Sequence, residues 1–173
     1  MSQTLFALIA KHPSQAHAIG APDRPWLSYG ELLNLSAKVA HSLHAMGIGR
    51  TDRVAIVLPN GPEMATAFLT VAQMATTAPL NPAYKEEEYT FYLEDLKAKA
   101  LIVTEDENGP AIKAATYLGI AILRLSFDQN GPAGAFTLSG ETSIVPAEKV
   151  AQDENDVALI LHTSGTTSLP KIV

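Results

Sequence analysis

A chain of 173 residues is long enough to bury one core, and without cysteine it excludes disulfides, thiolate nucleophiles and cysteine-ligated metals together. Its twelve basic residues stand against eighteen acidic ones, for a net charge of −6, and they are scattered rather than striped. That distribution argues against a nucleic-acid backbone as partner, and the lack of thiols fits a reducing compartment.

Leu5 to Ala10 is apolar but short, no basic residue precedes it, and Lys11-His12-Pro13 ends it, so it does not read as a signal peptide. No apolar run reaches bilayer-spanning length. The expectation is a soluble cytoplasmic protein. Thr4 to Lys11 suits one short helix with Leu5, Phe6, Leu8 and Ile9 on its apolar side. His17 to Gly20 and Trp26 to Ser28 flank a proline-rich turn and predict a small hairpin.

Ser28 and Glu31 have capping-box spacing, and the helix they open is expected to run to Met46. Leu32, Leu35, Val39, Leu43 and Met46 form its buried stripe, with Gly47 as the left-handed cap. His41 and His44 on this helix lack a third metal ligand and read as surface or partly packed residues. Arg53 to Leu58 predicts a strand covered on both faces. Asn60 is the expected N-cap of the next helix, with Pro62 in its first turn, Glu63 at the positive end of its dipole, and Met64, Phe68, Val71 and Met74 inward.

Thr77 to Leu80 predicts a short strand weakened by Pro79. Lys85 to Lys99 predicts a charged helix with Tyr89, Tyr92, Leu93 and Leu96 inward; Glu86, Glu87 and Glu88 point three ways and read as a solvated first turn. Ala100 to Val103 and Ile120 to Leu125 read as strands around a weaker helix, Ala111 to Leu118. This alternation predicts an α/β fold, a mostly parallel sheet with helices on both faces. Ser126 to Ser143 reads as a long exposed connection without regular structure, and Val145 to Asp156 as a polar lead into a last strand, Val157 to Leu161.

After that strand comes His162-Thr163-Ser164-Gly165-Thr166-Thr167-Ser168-Leu169-Pro170-Lys171. Hydroxyls around a glycine, followed by a lysine, suit a polyphosphate: backbone N–H groups converge, hydroxyls add donors and the ammonium supplies charge. The spacing does not fit G-x-x-x-x-G-K-[ST], and the same composition also occurs in plain polar linkers.

The stretch resembles the Thr-Ser-Gly-Thr-Thr-Gly-x-Pro-Lys-Gly signature of the adenylate-forming superfamily, which includes acyl-CoA synthetases, luciferases and peptide-synthetase adenylation domains. Ser168 and Ile172 stand where glycines are usual, and Leu169 where arginine is frequent. Further landmarks resemble the family in order: Ser28 to Leu32, Gly47 to Ala55, Asn60 to Glu63 and Pro79 to Pro82, with Ala75 in place of a usual glycine. His162 to Ser168 and Pro79 to Tyr84 look most like the branch containing oxalate–CoA ligases.

The resemblance implies an ATP-dependent carboxylate–CoA ligase using ATP, Mg²⁺ and CoA, in which a carboxylate attacks the α-phosphorus and the loop holds the departing pyrophosphate. Thr163, Ser164, Gly165, Thr166, Thr167 and Lys171 would be the nucleotide-holding residues, with Thr167 nearest the Mg²⁺ of the nucleotide. It also implies that residues 1–173 are the N-terminal part of the large AMP-binding domain. The C-terminal domain and its catalytic lysine would then lie outside this chain, leaving the piece itself inactive and prone to self-association. A second reading, from a different class, is a non-enzymatic nucleotide-sensing or protein-interaction module on the same fold.

Overall fold

The structure, a computed structural model, describes residues 4–141, 143, 145–148, 153–163 and 171–173. Helix α1 (Leu5–Ile9) is capped by the Thr4 hydroxyl, which accepts from the Ala7 amide. It is shorter than its apolar pattern predicts, and Phe6 and Leu8 stay exposed. Strands β1 (His17–Ile19) and β2 (Leu27–Ser28) form the expected antiparallel hairpin.

Helix α2 (Tyr29–Ala45) begins with the capping box: the Glu31 amide donates to the Ser28 hydroxyl, and the Ser28 amide donates to the Glu31 carboxylate at 2.8 Å. The Ser28 amide first, and then the Ser28 hydroxyl donating to the same carboxylate at 2.7 Å, hold the Glu31 carboxyl below its usual range. Gly47 follows the helix at φ 80°, the left-handed conformation a glycine adopts without steric cost. The Leu32, Leu35, Val39 and Leu43 stripe is buried as its spacing predicts.

The main sheet is built from β3 (Arg53–Val57), β4 (Thr76–Pro79), β5 (Ala100–Thr104), β6 (Ala121–Ser126) and β7 (Thr137–Ser139), in the order β4-β3-β5-β6-β7. The first four are parallel and β7 is antiparallel. Between them run α3 (Pro62–Val71), α4 (Glu86–Leu96) and α5 (Pro110–Tyr117).

Strand alternation sorts the core into two layers. Val54, Ile56, Ala100, Ile102, Leu123 and Leu125 face α2 and α3. Ala55, Val57, Leu101 and Val103 face Tyr89, Leu93 and Leu96 of α4 and the alanines of α5. Helices on both faces of a mostly parallel sheet are the architecture that the strand–helix rhythm predicts.

β4 lies at one edge. Its even-numbered side donates inward, Thr76 N to Asp52 O and Leu80 N to Ile56 O, whereas Thr77 N points out and donates to Ala158 O. Pro79 shares the outward side with Thr77, so its missing N–H costs no bond within the sheet.

Four expectations need correction. Asn60 is not the N-cap of α3: Gly61 takes that position without a side-chain bond, because Asn60 lies one residue too early. The inward face of α3 is Thr66, Ala67, Thr70 and Val71, while Met64 and Phe68 are half-buried. Its two threonines bury their hydroxyls by donating to carbonyls one turn back, Thr66 to Pro62 O and Thr70 to Thr66 O.

The 126–143 stretch is not without regular structure. It contains β7, buries Ala133 and Phe136, and is pinned by Arg24. That guanidinium donates to the carbonyls of Asp128, Gly131 and Pro132 and pairs with Glu63 at 2.7 Å. Glu63 also accepts from the Gly134 amide, so one ion pair joins the hairpin turn, the start of α3 and this loop.

Val157 to Leu161 forms a single parallel bridge, Thr77 to Leu159, rather than a strand. The Thr76 and Thr77 hydroxyls donate to Val157 O and Ala158 O at 2.7 Å each. Ile160 is buried, but Val157, Leu159 and Leu161 are exposed.

Candidate functional site

The phosphate-loop candidate lies where the chain leaves the β4 edge. β8 (His162–Thr163) pairs antiparallel with β9 (Lys171–Ile172), matching His162 with Ile172 and Thr163 with Lys171. Leu161 and Val173 exchange amide-to-carbonyl bonds of 2.8 Å in both directions, and the Thr163 hydroxyl lies 3.4 Å from Lys171 O. Ser164, Gly165, Thr166 and Thr167, four of the six expected nucleotide-holding residues, lie outside the described residues, as does the Thr167 metal assignment.

The two that are described, Thr163 and Lys171, sit directly opposite each other and are both exposed. Opposed residues of an antiparallel pair carry their side chains on one face. A hydroxyl and an ammonium therefore leave the stem together, the pairing of donor and charge that a polyphosphate oxygen accepts. Ile172, where the superfamily signature has glycine, occupies an ordinary strand position opposite His162.

The stem is tied to the body on two sides. Behind it, Asp156 pairs with Arg50 in the loop before β3 and also accepts from the Asp153 amide at 2.7 Å. Chiefly the Arg50 bond, and then that amide, hold the Asp156 carboxyl below its usual range. On the other side, His162 Nε2 lies 2.9 Å from Asp95 Oδ2 of α4, and its ring meets the Tyr92 ring edge-on at 4.7 Å. Tyr92 stacks on Tyr84 at 4.8 Å. Burial foremost, then the bond to Tyr92, pushes the Tyr84 phenol up to about 12. The His162 contact does not follow from residue spacing, since Asp95 and His162 are 67 positions apart.

A hollow of about 470 Å³ opens at the carboxyl ends of the strands between Pro59, Thr104, Leu125 and Phe127. Parallel sheets commonly bind ligands there. Its charged lining, Glu105 and Asp106, is acidic and would repel a polyphosphate.

The family model described as AMP-binding enzyme matches residues 5–173. An oxalate–CoA ligase of Arabidopsis thaliana is 37% identical over 161 residues, covering 87% of this chain and 31% of that protein. One of Saccharomyces cerevisiae is 40% identical over 147 residues, covering 72% of this chain and 27% of the relative. Among solved structures, ATP-bound MatB from Rhodopseudomonas palustris superposes with a TM-score of 0.74 at 25% identity, over 99% of this chain and 34% of that one. The chain thus spans under a third of the length of these curated relatives. A match running from α1 through β9 takes in the layered sheet and the loop stem alike, and the chain belongs to the AMP-binding enzyme family.

Proposed function

We propose that the protein is an ATP-dependent carboxylate–CoA ligase and that residues 1–173 form the N-terminal part of its large nucleotide-binding domain. A substrate carboxylate oxygen attacks the α-phosphorus of ATP, the α–β phosphoanhydride bond breaks, and pyrophosphate departs from the acyl-adenylate. The thiol of CoA then attacks the acyl carbon, AMP leaves, and a thioester remains. The observation that carries this reading is the register of the closing hairpin, which sets Thr163 opposite Lys171 at the two ends of the loop.

In this reading Thr163, Ser164, Gly165, Thr166, Thr167 and Lys171 hold the β- and γ-phosphates, the lysine by charge and the others by hydroxyl and backbone N–H donors. Mg²⁺ would lie at the same phosphates, near Thr167, and offset their charge. A cytoplasmic location belongs to the same proposal; among the described residues no helix is long and apolar enough to cross a membrane. The 173-residue chain alone is expected to form no acyl-adenylate, because such catalysis depends on positioning groups spread over the whole domain.

Two measurements test the proposal. Reading the gene past Val173 comes first: several hundred further residues support a ligase, and a stop codon there supports the non-enzymatic module. The encoded full-length protein is then incubated with Mg-ATP, CoA and a panel of short dicarboxylates and aryl acids while pyrophosphate is followed. Release is expected with at least one acid, and Lys171→Ala is expected to weaken Mg-ATP use by roughly ten- to a hundredfold, the worth of a hydrogen bond to a charged group. No release with any acid counts against the assignment.

A further inference from the structure

His162 belongs to the stem, yet the phosphate-holding role makes no use of it. Its side chain is 5% exposed, whereas Thr163, Lys171 and Ile172 are all exposed. A buried imidazole needs a partner for its N–H, and Nε2 has one 2.9 Å away in Asp95 Oδ2. A carboxylate can only accept, so Nε2 must carry the hydrogen. The ring is also held edge-on against Tyr92, one helical turn before Asp95 on α4.

Side chains of a strand alternate between faces, so turning His162 toward α4 turns Thr163, and Lys171 opposite it, away. The other ties between this stretch and the body come before His162: the Leu159–Thr77 bridge, the Thr76 and Thr77 hydroxyls on Val157 O and Ala158 O, the buried Ile160 side chain and the Arg50–Asp156 pair. They fix where the hairpin starts. The contact at His162 adds a hold on the hairpin strand itself.

We propose that His162 is the positioning residue of the phosphate loop: gripped by Asp95 and Tyr92, it sets the direction in which Thr163 and Lys171 meet a polyphosphate. The inference rests on the phosphate-holding reading of residues 163–171. Through Tyr92 the same grip reaches Tyr84, so the loop after β4 and the hairpin are held by one aromatic stack.

The test uses the 173-residue chain with pyrophosphate as probe, reading pyrophosphate affinity and hydrogen exchange at the Leu161 and Val173 amides. His162→Phe and Asp95→Ala are each expected to speed that exchange and weaken pyrophosphate binding by about tenfold or more, the range for losing a charged hydrogen bond. The double variant should be no worse than either single one, since both remove the same contact. His162→Gln, whose amide N–H reaches the Nε2 position, should restore both readouts. Asp95 is 42% exposed, so its replacement leaves the core intact.

Unchanged exchange and affinity in Asp95→Ala and His162→Phe overturn the proposal. So does a lower melting temperature with pyrophosphate affinity unchanged, which is what a merely structural role gives. Lys171→Ala separates the two ideas. If it weakens pyrophosphate binding while the His162 and Asp95 variants do not, only the positioning role fails. If it changes nothing, or the wild-type chain binds no pyrophosphate, the phosphate-holding reading fails and this inference falls with it.

Discussion

Tyr89 buries a phenol that is 1% exposed and donates its hydrogen to Asn81 O at 2.9 Å. Burial foremost, then nearby negative charge at Glu107, raises its pKa from the ordinary 10.0 to about 12. A raised value means that the folded state keeps a proton the unfolded state gives up earlier. The stabilisation is therefore complete below pH 10 and is lost as pH climbs toward 12. The melting temperature is expected to fall across that window, and Tyr89→Phe should flatten the fall; an identical slope in the variant would show that Tyr89 is not responsible. That Tyr89 faces inward was legible from its spacing with Leu93 and Leu96, whereas its phenol partner was not. Arg24 makes the same point more strongly. In sequence it is one member of a turn, yet its partners Glu63, Asp128, Gly131 and Pro132 lie 39 to 108 residues away. Losing it would leave the Glu63 carboxylate, 12% exposed, without its countercharge.

Elements whose reasons are local were readable as elements. The α2 start is an example, because Ser28 and Glu31 satisfy each other's neighbouring amides within four residues. Ser28→Ala is expected to cost about 1 kcal/mol, measured as a shift in denaturant midpoint at constant slope. No shift would mean that water replaces the cap in full. β3 and β5 were equally plain, since burial on both faces demands unbroken apolar runs. Val157 to Leu161 has the same composition but makes one bridge to the sheet, at Thr77, and leaves Val157, Leu159 and Leu161 exposed. β7 was illegible for the opposite reason: a glycine- and proline-rich stretch with little strand propensity is held in place by Arg24 and by the register of β6. In the candidate site the pairing of Thr163 with Lys171 follows from chain reversal, but the grip of α4 on His162 is a tertiary contact that no spacing rule announces.

At the scale of the molecule, the alternating pattern foretold the layers, and the crossing of α4 to the face opposite α3 follows from β5 lying beyond β3 from β4. Five of the exposed apolar side chains gather at one border: Val157, Leu159, Leu161, Ile172 and Val173 are 37% to 72% exposed. The 173-residue chain is accordingly expected to self-associate, with a light-scattering mass that rises with concentration and falls back when Leu161 and Val173 are replaced by charged residues. A constant monomer mass up to high concentration would show that this border is not adhesive. The proline that closes β4 has its own consequence during synthesis. A ribosome delivers residues 76–126 before 158–160, so the outer rim of β4 waits bare while the other parallel strands have already emerged. With Pro79 offering no donor on that rim, the β4 donor left for a neighbouring nascent polypeptide is the Thr77 amide, which in the folded chain is taken by Ala158 O, from a segment that arrives later.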